Sequence, residues 1–224
     1  MQMNQLRPAS DFALKYGAKT VVYGAPGTGK TPILNSAPRP VLLCVEPGML
    51  SMRQSTAPTW GGFTPKHIDE FFEWILKSNE ANNFDTICID SVSQMAEIIL
   101  EEELQRNRDG RKAYGEMSRR VMRHMNGIFF AQQKHTYLIC KQAVVEDTTG
   151  RQVRPYFPGQ DLNVKVPHLF DVVMHLATHN IPGAGQHKAF RTAQTLDAVA
   201  RDRSGRLNEF EPCDLTALFK KIMS

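Results

Sequence analysis

The sequence predicts an α/β chain: a mainly parallel sheet flanked by helices, with antiparallel strands added toward the C-terminus. Three observations carry that expectation. The glycine-rich segment GAPGTGKT, residues 24–31, lies between the apolar run TVVY and a segment that can begin a helix. Four short β-branched runs, at 20–23, 41–45, 85–89 and 136–140, alternate with longer stretches of helical period, the pattern of parallel strands joined by crossover helices. Beyond residue 142 the texture changes to strand-like runs separated by Gly-bearing turns.

The first strand runs into the glycine-rich segment. Gly24 and Gly29 bracket four residues, and a strand-to-helix loop rich in Gly and Pro can turn its backbone N–H groups toward a polyphosphate. Residues Gly24, Ala25, Pro26, Gly27, Thr28, Gly29, Lys30 and Thr31 would then form the cradle for ATP. Lys30 reaches the terminal phosphates and the Thr31 hydroxyl holds Mg2+. The alternative is a simple Gly-rich turn before a helix, and the preceding strand argues against it. Pro32 is compatible with the first helical turn, where an N–H is not needed.

The helix before the second strand must be short. Between the second and third strands, Thr64 is placed to cap a helix with Pro65 at its first position; Ile68, Phe71, Phe72, Ile75 and Leu76 form its apolar stripe. After the third strand, Ser91 and Gln94 have capping-box spacing at the start of a helix running to about residue 107. Another helix, from about residue 116, puts Met117, Val121, Met125, Ile128 and Phe129 on one side. Next, AVVEDTTGRQVRPYF reads as a hairpin around DTTG. FDVVMHLATH, KAFRTAQ and DAVARD read as further strands, and DLTALFKKI as a closing helix that Asp214 can cap. There is no internal repeat, low-complexity tract or linker, so residues 1–224 are expected to form one domain.

Composition narrows the class. A hydrophobic content of 42% argues against disorder, and no apolar run approaches the roughly 20 residues needed to span a bilayer. MQMNQLRPAS contains no hydrophobic segment of signal-peptide type. Three of the four cysteines, Cys44, Cys88 and Cys140, lie inside apolar runs, where a thiol is a small buried hydrophobe; a reducing cytoplasm fits them. The formal net charge of +4 permits nucleic-acid binding without requiring it.

Candidate catalytic groups follow from strand ends. Asp90 ends the strand TICID, a position from which a carboxylate orients the water shell of Mg2+. The next residue is Ser91, so a base to activate water must come from elsewhere. Glu46 ends VLLCVE and precedes the loop PGML, which would bring its carboxylate to the same sheet edge as Lys30 and Asp90; otherwise it is a solvated turn carboxylate.

The spacing of GAPGTGKT, VLLCVEPG, TICIDS and YLICKQ, followed by hairpins and AVARDRSGRL, resembles small bacteriophage ATPases consisting of little more than a RecA core, among them single-strand annealing recombinases. The resemblance extends over nearly the whole chain. It implies a RecA-like P-loop ATPase acting on single-stranded DNA in the host cytoplasm, as a homo-oligomeric ring or filament, with a single-strand-binding protein as a further partner. It implies that Gln142 is the sensor linking γ-phosphate state to a DNA-binding loop. Arg201 and Arg203 match a basic-x-basic pair that reaches the neighbouring subunit's nucleotide. Measured against full-length RecA, the resemblance is to the core alone, without the amino-terminal assembly domain or the long carboxyl-terminal domain, so the expected assembly is left open between filament and ring.

Residues 105–124 carry six Arg and one Lys against two acids, with Tyr114 between Gly110 and Gly115 in an expected loop. A positive groove with an aromatic platform suits single-stranded nucleic acid, which makes Arg108, Arg111, Lys112, Tyr114 and Arg119 candidates. The plainer alternative is a solvated helical face. A second candidate is TTGRQVRPYFPG, with Arg151, Arg154, Tyr156 and Phe157, against an ordinary surface hairpin. His175 and His179 lie on one strand about 13 Å apart along the chain, at about 3.3 Å per residue, so a zinc site is not expected. Trp60 in WGGF and the methionines from Met117 to Met125 read more readily as packing than as binding surfaces.

Three functional classes are compatible with these features: a DNA-binding recombinase or annealing ATPase, a helicase-like or packaging motor, and a small-molecule kinase. The kinase reading lacks an evident Arg-bearing lid, and a replicative helicase would carry an additional domain.

Overall fold

The computed structural model describes residues 8–147 and 150–224. In chain order the elements are α1 (Ala9–Ala13), β1 (Lys19–Tyr23), β2 (Pro40–Cys44), β3 (Thr59–Gly61), α2 (Pro65–Lys77), β4 (Thr86–Asp90), α3 (Val92–Arg106), α4 (Gly110–Phe130), β5 (His135–Cys140), β6 (Gln142–Asp147), β7 (Gly150–Pro155), α5 (Asp161–Leu169), β8 (Val172–Ile181), β9 (Gly185–Arg191), β10 (Arg201–Asp202), β11 (Phe210–Glu211) and α6 (Leu215–Ile222). The main sheet runs β3-β2-β4-β5-β1-β8-β9-β11, with β10 on the first residues of β8. From β3 to β8 the pairings are parallel; β9, β10 and β11 are antiparallel, as expected from the change of texture after residue 142.

Strands buried on both faces explain the unbroken apolar runs in the sequence. Alternate side chains of each strand serve two cores. Val21, Leu43, Ile89 and Leu138 pack under α2 to α5 with Phe71, Phe72, Ile99 and Val121. Val22, Leu42, Cys88 and Tyr137 face Leu34, Phe190, Leu218 and Phe219 on the other side. Lys19 is fully buried at the start of β1, and its Nζ donates to Ile128 O, Ala131 O and Lys134 O at 3.0, 3.1 and 2.6 Å. These carbonyls lie at and just beyond the end of α4, where a cation complements the helix dipole and fills orphan acceptors. Burial pulls the Lys19 pKa down to about 7, against the attraction of Asp171.

Local signals set most helix ends. The Thr64 side chain accepts from His67 N at 3.2 Å, with Pro65 as the first helical residue. Of the predicted α2 stripe, Leu76 is not in the core: it is 44% exposed and covers Gly127 of α4, where a β-carbon would lie 2.8 Å from Leu76 Cδ1. The connection after the glycine-rich loop is a 3-10 turn, Pro32–Ser36. The largest departure is the start of α4, at Gly110 rather than near residue 116. Asp109 caps it by accepting from Arg111 N at 2.9 Å, so Tyr114 and Gly115 lie within the helix and not in a loop.

The hairpin β6–β7 forms a separate two-stranded sheet, and the Thr148 and Thr149 of its expected turn lie outside the described residues. Its base is tied to α3: Ser93 Oγ donates to Tyr156 O at 2.6 Å, and Tyr156 N donates to Lys141 O at 2.9 Å. Among the described residues no helix is long and apolar enough to cross a membrane.

Candidate functional site

Parallel strands bring the ends of β1, β2, β4 and β5 to one edge of the sheet. β1 has β5 on one side and β8 on the other, and such carboxyl edges are where open α/β sheets bind ligands. The loop after β1 has the conformation its glycines permit. Gly27 and Gly29 have φ of 79° and 80°, in the left-handed region. Gly24 is pressed against β8, so that a β-carbon would lie 2.4 Å from Leu176 O.

Lys30 Nζ donates to Gly24 O at 2.7 Å and Ala25 O at 2.9 Å, folded back over its own loop. Burial lowers its pKa, opposed by the nearby Asp90 and Glu46 carboxylates. Thr31 Oγ1 donates to Asp90 Oδ2 at 2.5 Å. Burial raises the Asp90 pKa, the Thr31 hydroxyl opposing it. Ser91 Oγ donates to Glu46 Oε1 at 2.6 Å and accepts from Gln94 N at 3.2 Å, so one hydroxyl both caps α3 and orients Glu46. The Gln94 side chain is used elsewhere, its Oε1 accepting from Lys141 Nζ at 2.7 Å.

Gln142 begins β6 and lies on the same cleft, which has a volume of about 560 Å³. Its Oε1 is 3.2 Å from His175 Nε2, a contact in which the ring N–H donates. His175 stacks on Tyr23 with ring centroids 5.0 Å apart. Burial, then His179 and Arg191, lower the His175 pKa to about 4, so the ring is neutral at neutral pH. The structure therefore brings together the loop from Gly24 to Thr31, Glu46, Asp90 and Gln142.

It does not bring Arg201 and Arg203 to that cleft. β10 pairs with the first residues of β8, which places both at the opposite edge of the sheet. The Arg201 guanidinium donates to Pro167 O and Phe170 O of its own chain. Arg203 donates to His168 O at 2.8 Å and keeps a side chain 46% exposed.

The basic stretch divides into two parts. Arg119 pairs with Glu116, and Arg120 is held by Asp69, Glu102 and Glu103. They line a depression of about 1030 Å³ between α2, α3 and α4 that mixes acids with bases and is no cationic groove. Arg108, Arg111 and Lys112 stay exposed at the start of α4, and Arg151 is exposed on the hairpin. Arg154 is half-buried with Nε shielded from solvent, and Phe157 is core, not a stacking platform. The imidazoles of His175 and His179 come closer than their spacing along the strand implies, with centroids 5.5 Å apart. Ala177 between them pairs with Ala189, so nothing large separates the two rings. No cluster of three or more metal-ligating side chains occurs among the described residues.

Two contacts at the site were not read from the sequence: the second bond of Ser91, whose capping role alone was legible, and the His175–Gln142 bond, for which the sequence carries no local signal.

A glycine-rich loop at the end of the first strand, a hydroxyl at the end of that loop paired with a carboxylate of β4, and a second carboxylate beyond β2 define a P-loop NTPase on an α/β sheet. Residues 16–204 match the AAA_24 family, described as an AAA domain, and the chain belongs to that family. The sheet order agrees with the α/β fold expected from the sequence, a mainly parallel sheet with antiparallel strands toward the C-terminus. No curated protein matches the chain. Among solved structures, a KaiC-like protein from the hyperthermophilic archaeon Pyrococcus horikoshii OT3 aligns at 15% identity over 79% of this chain and 81% of that one, with a TM-score of 0.43.

Proposed function

We propose that the chain hydrolyses ATP with Glu46 as general base, as a homo-oligomer acting on single-stranded DNA in recombination or annealing. The observation that carries the ATPase reading is Glu46, held by Ser91 beside the Lys30, Thr31 and Asp90 set. Thr31 and Asp90 fit Mg2+, since a hydroxyl and a mostly buried carboxylate are hard oxygen donors. When bound, the ion would offset phosphate charge and help orient the triphosphate.

The loop N–H groups and Lys30 hold the phosphates, Lys30 exchanging its carbonyl partners for phosphate oxygens. Glu46 accepts a proton from a water whose oxygen attacks the γ-phosphorus, and the bond from that phosphorus to the bridging oxygen breaks, leaving on ADP. Ser91 keeps the Glu46 carboxylate aimed through the reaction. Gln142 belongs both to the cleft and to the first pair of the hairpin, opposite Pro155. That position supports its role as the link between phosphate state and the Arg151-bearing hairpin.

DNA binding is supported by exposed Arg108, Arg111 and Lys112 at the start of α4 and by Arg151. Phosphate contacts of this kind are salt-dependent and sequence-tolerant. For a bridging finger, Arg203 is the more exposed of the two, whereas the Arg201 guanidinium is engaged by backbone carbonyls. The test is ATP turnover with and without single-stranded DNA, measured alongside particle size. Turnover stimulated by DNA in an assembled species is expected. Turnover that requires a small phosphate acceptor would replace this reading with a kinase.

A further inference from the structure

The hairpin of β8 and β9 runs past the end of β1, because Tyr23 pairs with His175 and six further residues of β8 lie beyond that point. Its paired part, from His175–Arg191 to Ile181–Gly185, stands beside the glycine-rich loop. Two contacts fix it there. Gly24 abuts Leu176 O of β8 so closely that no side chain fits. On β9, Lys188 reaches over the loop, its Nζ only 3.1 Å from where a β-carbon on Gly29 would stand. Midway along this arm, the thiol of Cys213, just before α6, points at Lys188 O at 3.7 Å.

Lys188 is exposed, and among the described residues its ammonium is in no ion pair with a carboxylate and donates no hydrogen bond to the protein. An ammonium group at a glycine-rich loop that already carries Lys30 adds like charge to like charge. That arrangement becomes favourable when a polyanion occupies the loop. We infer that Lys188 is a further cation of the polyphosphate site, supplied in cis by the β8–β9 hairpin, and that its ligand is the phosphate chain of a nucleotide.

This inference rests on the nucleotide-binding reading of the Gly24 to Thr31 loop. It adds a residue remote in sequence from any recognisable motif. Lys188 contacts bound phosphate directly and takes no proton in the reaction, so its contribution is read in affinity.

The experiment is equilibrium titration with fluorescent ATP and ADP analogues at several salt concentrations, on the whole chain, for wild type and for K188R, K188A and K188E. Because the side chain is exposed, unfolding midpoints without nucleotide are expected to match across the series. K188A should weaken both nucleotides about tenfold, the low end for a charge-assisted hydrogen bond. K188E should weaken them further, K188R should stay near wild type, and the salt dependence of K188A should be flatter than that of wild type. Affinities that do not follow the order Arg, Ala, Glu, or an unchanged salt dependence, overturn the assignment of Lys188. K30A serves as the separate control. If wild type binds neither nucleotide, or K30A binds like wild type, the reading of the loop itself fails, whatever Lys188 does.

Discussion

Replacing Ser91 by Ala tests the site and the fold with one atom. Two bonds disappear: the cap accepted from Gln94 N at 3.2 Å and the donation to Glu46 Oε1 at 2.6 Å. Loss of an N-cap costs about 1 kcal/mol, which for a chain of this size lowers the unfolding midpoint by about 2–4 °C. The second loss acts on turnover. A general base contributes roughly 10²–10⁴ in rate, and one left unaimed by about an ångström forfeits up to about 10²-fold. S91A should therefore hydrolyse ATP about 10- to 100-fold more slowly in single-turnover assays while binding it with near-normal affinity. Pairing it with E46Q separates the two effects. E46Q alone should keep ATP affinity and lose hydrolysis, since the amide cannot take the water's proton. Adding S91A to E46Q should lower the unfolding midpoint as before and leave residual turnover unchanged, because residues acting through one another are not additive. Wild-type turnover in S91A, or a further full loss of turnover on top of E46Q, would refute the reasoning.

Lys30→Ala should abolish useful ATP binding, checked by nucleotide titration, because it removes the cation at the terminal phosphates. Replacing Arg108, Arg111 and Lys112 together should flatten the plot of log K against log salt for single-stranded DNA by about 0.7 for each phosphate left without its cation; adding Arg119→Ala should change little, since Arg119 is paired with Glu116. If Arg203 serves a neighbour, inactive Arg203→Ala and Glu46→Gln proteins should regain ATPase activity when mixed and co-assembled. The His175 pKa is lowered from 6.5 to about 4. Between those values the unfolded chain binds more protons than the folded one, so stability present above pH 6.5 is lost as pH falls toward 4. Urea midpoints measured across that range should fall, and less steeply in His175→Gln.

What was legible in the sequence was local. β4 and the Ser91 cap are adjacent in the chain, and their pattern and capping chemistry are read within a few residues. Asp109 before Gly110 was an available start signal for α4. Two glycines outweighed it, although Gly110 is the first helical residue and Gly115 sits where a β-carbon would meet nothing within 4 Å. Of the candidate site, the glycine-rich loop, Glu46 and Asp90 were read from strand ends. The Ser91–Glu46, His175–Gln142 and Lys188–Gly29 contacts join segments far apart in sequence, and only the sheet order β4-β2 and β1-β8-β9 makes them neighbours. Charge composition along the basic stretch does not say where the acids of α2 and α3 fall. In space, Arg120 is neutralised by those acids and Arg119 by Glu116 of its own helix.

The place of β1 in the sheet also governs when the cradle can exist. Its partners are β5 and β8, and Gly24 rests on Leu176, so the loop near the start of the chain has no finished scaffold until residues well past the midpoint have been made. During synthesis the early segment must wait with its apolar strand unpaired, and long-range parallel pairing of this kind is slow and exposed to aggregation. Nucleotide cannot act as an early folding template for such a chain. It can stabilise only what β8 has already closed, which makes ATP a late ligand that selects completed molecules from partial ones.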